Sequence, residues 1–287
     1  MLLSWQDVTN ISGTLLFMDE IIMHVEKFDY SQYPPVAIYY QIYKSYVEPD
    51  REEHFFKLKE LINMYIHLFP VEEAKDIFGS AHNFCIRRIN IGQNEFVRQN
   101  FDLYKEAIEK GILFYNGQIP PITFRNIVMS ANILNEYEWA ENFIHLHKDK
   151  LDEKFRENAV AYNSALIAWG KKDFTKVVRL LQNVEFNEIF YDMNSKLMLV
   201  TTYYDTDEIE PLHSLLESFK IFVYRNKKLL TLAQQSMLLD YIKFVRKLLS
   251  FNPGQIEKAD KLQQDIKGSK ISVTMKQWLL EKVEELR

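Results

Sequence analysis

The residues of this sequence that could perform acid–base or metal chemistry are few and scattered. Seven histidines and a single cysteine, Cys85, are spread along 287 residues. The closest pair, His145 and His147, would point roughly 200° apart on a helix, so the two rings cannot hold one metal ion from one face. HExxH, GxSxG and Walker A spacings do not occur in the sequence, and 8 glycines leave little material for a phosphate-binding loop. The sequence therefore predicts a protein that is not an enzyme and needs no metal or other cofactor.

Two asparagines indicate binding rather than catalysis. Asn126 and Asn163 lie 37 residues apart. A carboxamide donates and accepts hydrogen bonds at once, which matches the needs of a peptide backbone. The alternative is that each side chain ties its own helix to the next one. Which of these holds depends on the elements that carry the two residues.

One helical-hairpin pattern occurs three times between Ile122 and Glu217, and its small or apolar positions recur at offsets of 37 and then 35 residues. The first two columns of this pattern are three residues apart and the last two are four apart, so each set lies on one face of a helix. A polar or turn step separates the two helices of each copy. The five columns are Val128, Ala165 and Val200; Ala131, Ala168 and Tyr203; Tyr137, Phe174 and Ile209; Ala140, Val177 and Leu212; and Ile144, Leu181 and Leu216.

This register resembles the tetratricopeptide (TPR) pattern, a helical hairpin with a period of about 34 residues. The resemblance implies stacking into a right-handed α-solenoid, because one hairpin cannot bury its apolar face alone. It also implies that the first helix of each unit lines a concave groove, where an asparagine in this column commonly bonds the backbone of a bound peptide. Such a groove requires Asn126, Asn163 and Trp169 to be exposed. The predicted binding residues are Arg125, Asn126, Tyr162, Asn163, Trp169 and Tyr204.

Segments spread over most of the chain resemble a group of uncharacterised bacterial TPR-like proteins. The resemblance implies an all-helical cytoplasmic array and brings no substrate, cofactor or catalytic residue. Relatives of this kind are longer at the N-terminus, which implies that the chain is the C-terminal part of a larger protein. The resembling segments are EPDREEHF (Glu48 to Phe55), NFCIRRIN (Asn83 to Asn90), NGQIPPITFRNIV (Asn116 to Val128), NEYEWAENFI (Asn135 to Ile144), RENAVAYNSA (Arg156 to Ala165), VEFNEIFYDMNSKLML (Val184 to Leu199) and LLESFKIFVYRNKKL (Leu215 to Leu229).

Flanking patterns extend the array in both directions. The stretch from Val8 to Phe28 is dense enough in apolar residues for a buried helix. Two earlier hairpins are predicted, at 36–69 and at 71–111, with Gly92 at the cap position of the second. The predicted organisation is an N-terminal helix and connector over residues 1–33, a helical-repeat array over 34–251 with its core repeats at 122–217, and capping helices over 252–287.

Composition restricts the class of partner and the compartment. The formal net charge of −5 opposes nucleic-acid binding, which requires a basic surface. The string from Ala161 to Lys172 nevertheless resembles one unit of a pentatricopeptide RNA-binding array, so an RNA-binding helical repeat is kept as an alternative. The single cysteine favours a cytoplasmic location. The N-terminal stretch has no basic leader and no apolar run of membrane-spanning length, which favours the same location and no membrane partner.

Charge is uneven in the C-terminal half. Glu185 to Glu217 holds eight acids and one lysine, whereas Lys220 to Ser250 holds seven basic residues and one acid. Such blocks usually pair between adjacent helices. They could also steer a charged partner or drive head-to-tail association into a homo-oligomer.

Together these patterns predict an all-α solenoid of TPR-like hairpins that binds a peptide or partner protein as a non-enzymatic scaffold. The alternative is a regulatory or sensor domain that binds a small ligand. A peptide site predicts an open, wet groove, whereas a small-molecule site predicts a closed apolar pocket with one or two convergent charges.

Overall fold

The protein is described by a computed structural model that covers residues 17–30, 32–182, 189–251 and 255–286. Across these ranges the chain forms 14 α-helices and no β-strand, which confirms the all-α prediction. The chain divides into two compact units, here called unit 1 (Met1–Ala140 and Asp149–Asp152) and unit 2 (Glu141–Lys148 and Glu153–Arg287). No helix in the described ranges is both long and apolar enough to cross a membrane.

In unit 1, the successive helices between Pro34 and Ile133 pack against one another. Pro34 and Pro35 occupy the first turn of α2, where a missing N–H costs nothing. Gly92, in the left-handed region with φ 95°, ends α4 at the position predicted from the sequence. The helices are α1 (Met18–Lys27), α2 (Pro34–Val47), α3 (Glu52–Tyr65), α4 (Val71–Asn90), α5 (Glu95–Glu109), α6 (Pro121–Ile133) and α7 (Tyr137–His147), the last of which contains the boundary between the units.

Unit 2 continues with the same kind of packing. The helix that begins at Glu153 also contacts the one that begins at Ile189, and the helix that begins at Leu232 contacts the one that begins at Val273. In the last helix, Leu279 and Val283 are fully buried, so one of its faces is packed. The helices are α8 (Glu153–Gly170), α9 (Phe174–Leu181), α10 (Ile189–Asp205), α11 (Ile209–Arg225), α12 (Leu232–Leu249), α13 (Ile256–Gly268) and α14 (Val273–Glu285).

Three inter-helix turns share one geometry at the predicted spacing. Asn135, Lys172 and Asp207 all adopt left-handed backbone conformations, with φ of 59°, 59° and 57°. In each turn the following N–H donates to the carbonyl five residues back at 2.9 Å, which is the Schellman pattern that closes a helix C-terminus. Asparagine and aspartate tolerate this conformation better than most residues, and Lys172 adopts it without that advantage. The turns of the three copies are therefore equivalent without a glycine.

Three of the five columns of the repeat are buried throughout, whereas Tyr203 of the second is half-buried and the third (Tyr137, Phe174 and Ile209) is half-buried or exposed. Val128, Ala165 and Val200 in the first column are fully buried. Ala140, Val177 and Leu212, which face them from the second helices, are also fully buried. Because substituting such positions creates a cavity or an overpacked core, these columns hold each hairpin together.

The N-terminal helix differs from the prediction. We expected a buried helix between Val8 and Phe28, and the part of it that is described, α1, contains no buried residue. Ile22 and Val25 are half-buried, whereas Ile21 and Met23 are exposed. Asp19, Glu20, Glu26 and Lys27 share the short helix with these apolar residues and require solvent, so α1 can bury only a narrow stripe.

Candidate binding surface

The predicted residues of unit 1 lie in a polar network between helices. Arg125 and Asn126 in α6 are half-buried, and the Arg125 guanidinium donates to the Asn126 side-chain oxygen at 2.9 Å. The side chain of Asn126 lies close enough to the Tyr104 hydroxyl of α5 to affect its pKa. Burial raises the pKa of Tyr104 to about 12, although its interactions with Asn126 and Asn100 oppose that rise. The side-chain oxygen of Asn126 is therefore occupied by Arg125 of its own helix.

The same network continues into the core of unit 1. His82 of α4 shares a 2.7 Å hydrogen bond with Asn100 of α5, and Asn100 donates to Ser130 of α6 at 3.4 Å. The His82 ring stacks on Tyr104 with a centroid distance of 4.0 Å. Burial lowers the pKa of His82 to about 4, because a charged imidazole would lose its hydration there. The histidine is thus a neutral core residue at physiological pH.

Tyr162 and Asn163 of unit 2 do not stand on an open surface. The exposed fractions of these residues are 1% and 0%. The Asn163 amide donates to the Ala159 carbonyl of its own helix at 2.7 Å, and the Tyr162 ring packs edge-on against Tyr191 of α10 at 4.9 Å. The exposure predicted for Asn163 is therefore wrong. The physical reason is that α8 packs against α10, which covers the face that the sequence register assigned to a groove.

Trp169 and Tyr204 are half-buried and have partners within unit 2. The Trp169 indole donates to the Thr201 hydroxyl at 2.8 Å, and the Tyr204 ring meets Trp278 edge-on at 5.3 Å. Tyr204 also lines a cleft of about 310 Å³. The charge of Lys282 in that cleft is held by Asp205 at 3.0 Å and by Glu285 at 2.9 Å. Both aromatic residues thus serve packing, and the cleft is internally neutralised.

Reactive groups are also buried or dispersed. Cys85 is fully buried, and burial raises the pKa of its thiol to about 12, so the reactive thiolate does not form near neutral pH. Within the described ranges no three His, Cys, Asp or Glu side chains converge as metal ligands.

An open basic groove lies between α11 and α12 and has a volume of about 420 Å³. We call it the α11–α12 groove. Its residues on α12 follow a helical period, with Leu239, Ile242 and Arg246 three or four positions apart, so they form one continuous wall. Ile242 is 3% exposed and provides an apolar floor. The lining consists of Lys220, Tyr224, Leu239, Ile242, Lys243, Arg246, Lys247 and Ser250.

The four cations of this groove differ in how their charge is balanced. Arg246 donates to Glu217 at 2.7 Å and Lys247 to Asp265 at 2.8 Å. The hydrogen bond and charge of Lys247 hold the pKa of Asp265 below its usual value. Lys220 and Lys243, by contrast, form no ion pair or hydrogen bond with any residue that the structure describes. Both ammonium groups can therefore bond a ligand, while the charge of Lys243 also contributes at longer range to the lowered pKa of Asp265.

A larger cleft in unit 1 has a different character. It lies between α1, α2 and α3, has a volume of about 560 Å³, and includes Glu26 and Lys57 in its lining. Glu26 accepts from the Tyr40 hydroxyl at 3.0 Å and from Lys44 at 3.3 Å, while Lys57 pairs with Glu60 at 2.8 Å. These charges are already balanced within the protein, so the cleft offers less to a charged ligand.

The sequence carried part of the signal for the α11–α12 groove. The excess of basic residues between Lys220 and Ser250 is compatible with pairing between helices or with a charged partner. The sequence does not show which of these cations share an apolar floor. Arg225, Lys227 and Lys228 belong to the same block and do not line the groove. Comparisons of the chain with family models, curated proteins and solved structures found no match.

Proposed function

We propose that the chain is a right-handed α-solenoid of TPR-like hairpins and acts as a non-enzymatic scaffold that binds a partner protein. Support for the array comes from the equivalent turns at Asn135, Lys172 and Asp207 and from buried columns at the same offsets. Repeated hairpins of this kind expose long helical surfaces, which are suited to binding other chains.

The observation that carries the binding function is the composition of the α11–α12 groove. Four cations surround an apolar floor, and Tyr224 at its edge is 55% exposed. Tyrosine and basic side chains over apolar surface are typical of the residues that dominate protein interfaces. An open groove of this kind suits a chain segment better than an enclosed small molecule.

Selection from a peptide library tests this proposal on the intact chain. The protein is immobilised and panned against a displayed library of random 12-residue peptides, and enriched sequences are synthesised and titrated by fluorescence anisotropy. We expect enrichment of related sequences that bind saturably with Kd values of about 1–100 µM, the range of weak, small interfaces. Absence of any enriched, saturably binding sequence would contradict the scaffold function.

A further inference from the structure

We propose that the α11–α12 groove binds an acidic segment of a partner protein, in which carboxylates flank one large apolar side chain. This inference rests on the proposed function and specifies the chemistry of the partner. It assigns the recognition of carboxylates to Lys220 and Lys243 and the recognition of the apolar side chain to Tyr224, Leu239 and Ile242.

The first step is the placement of unbalanced charge. Lys220 extends from α11 and Lys243 from α12, so the two ammonium groups reach the groove from both helices. Neither has an ion-pair or hydrogen-bond partner among the described residues, whereas Arg246 and Lys247 are paired. A ligand with carboxylates on both sides would neutralise the two free cations together, and electrostatic complementarity of this kind raises association rate and specificity.

The second step is the apolar surface between the cations. Ile242 forms the floor, Leu239 is half-buried, and the exposed ring of Tyr224 stands beside them. A Leu, Ile, Met or Phe side chain placed there would remove these surfaces from water. An anion without an apolar group would leave them solvated, so the groove fits a mixed ligand.

The third step concerns which anion fits. Glu217 and Asp265 bond Arg246 and Lys247 and remain 67% and 40% exposed in their side chains. A nucleic-acid backbone carries a charge at every phosphate and would meet these carboxylates. A flat anionic bilayer would meet them too, and it cannot reach a floor as deeply buried as Ile242. A short peptide can place its carboxylates only where Lys220 and Lys243 stand.

The test compares two charge-reversed variants of the full chain. Lys220→Glu/Lys243→Glu changes the groove, and Lys227→Glu/Lys228→Glu is the matched control, because it makes the same charge change in the same basic block outside the groove. Sequences enriched on the wild type should be rich in Asp and Glu around one large apolar residue. Their affinity should fall by about tenfold or more in the groove variant and by less than about twofold in the control. Tyr224→Ser, at an exposed position, should weaken binding of the same peptides.

Other outcomes would overturn this inference, and they also show whether the proposed function fails with it. Enriched peptides that are neutral or basic, or that bind the two double variants equally, would show that the chain binds peptides without this recognition. An empty selection would overturn the inference together with the proposed function. Labelled polyuridylate RNA, or vesicles of phosphatidylcholine with about 30% phosphatidylserine, are further probes. If either binds through Lys220 and Lys243 more tightly than the enriched peptides, the assignment to an acidic segment is wrong. Circular dichroism of each variant confirms that it is folded.

Discussion

Two Arg–Glu pairs with the same distance occupy different settings in the two units. In unit 1, Arg88 meets Glu52 at 2.7 Å with side chains that are 8% and 37% exposed. In unit 2, Arg246 meets Glu217 at 2.7 Å with side chains that are 35% and 67% exposed. The first pair fixes α4 to the start of α3 beneath the rings of Phe84 and Phe96. The second lies at the edge of a groove where solvent and ligands compete for the same charges.

The difference shows that burial and pairing, rather than charge alone, separate polar residues that hold the fold from those that are accessible to a ligand. His82, Asn100 and Arg88 in unit 1 are polar, buried and bonded across helices, and their role is structural. Lys220 and Lys243 are polar, accessible and without ion pairs in the described structure. The larger cleft of unit 1 carries charges that are already balanced. The volume of a cleft is therefore a weaker guide to a binding site than the pairing of its charges.

The largest expected effect comes from breaking the ion pair of the buried Arg88. Glu52→Ala removes the nearer carboxylate from a nearly dry guanidinium and leaves it only Asp50, at 3.6 Å with a side chain that is 97% exposed. We expect the free energy of unfolding to fall by about 2–3 kcal/mol. Glu217→Ala breaks a pair of equal length at the surface and should cost less than about 1 kcal/mol. Urea denaturation of both variants measures the contrast. Equal losses would show that burial does not separate the two pairs.

The second effect is the pH dependence introduced by His82. Its pKa is about 4 in the folded protein and about 6.5 when unfolded, so the unfolded chain binds the proton more tightly. The stabilisation by neutral His82 is complete above pH 6.5 and is lost as pH falls toward 4, by about 3 kcal/mol at most. His82→Gln should flatten this part of the stability profile. The matched control His213→Gln, at an exposed histidine, should leave the slope in place.

Substitution in the repeat turns should have a smaller effect on stability, and it should stabilise the protein rather than destabilise it. Lys172 holds a left-handed conformation with φ 59°, which glycine adopts without a steric penalty. Lys172→Gly should therefore stabilise the protein by about 0.5–1 kcal/mol, after allowance for the greater chain entropy of glycine. Asn135→Gly should give no gain, because the Asn135 side chain accepts a hydrogen bond from Tyr137 at 2.6 Å. Thermal unfolding of both variants measures the difference, and a loss of stability in Lys172→Gly would contradict the turn assignment.

Much of the fold could be predicted from the sequence, because a hairpin repeat places its signals locally. The turns at Gly92, Asn135 and Asp207 and the buried column of Ala140, Val177 and Leu212 follow from spacing alone. These positions depend on residues within one hairpin or the next, where period and turn chemistry suffice.

The orientation of Asn163 could not be predicted in the same way. Helix α8 buries residues on more than one face, including Ala159, Tyr162 and Ala165, so its apolar pattern does not identify a single free side. Which face stays open depends on how α10 packs against it, and that packing is a property of neighbouring hairpins rather than of the local sequence. The groove between α11 and α12 was missed for the same reason, although its charge was visible.

The smallest expected effect is also the most specific to the groove. Glu217→Ala releases Arg246 from its carboxylate and adds a third free cation to the α11–α12 groove. Acidic peptides should therefore bind this variant about two- to fivefold more tightly than the wild type. Anisotropy titration at low salt measures the gain, and weaker binding would show that the Arg246–Glu217 pair itself forms part of the site.

A reciprocal charge swap tests the central claim most directly. The best acidic peptide from the selection, and a counterpart with lysine in place of each carboxylate residue, are titrated against the wild type and Lys220→Glu/Lys243→Glu. If these lysines recognise carboxylates, the acidic peptide prefers the wild type by about tenfold or more, and the lysine peptide prefers the variant. If both peptides keep the same preference on both proteins, the α11–α12 groove is not the binding site.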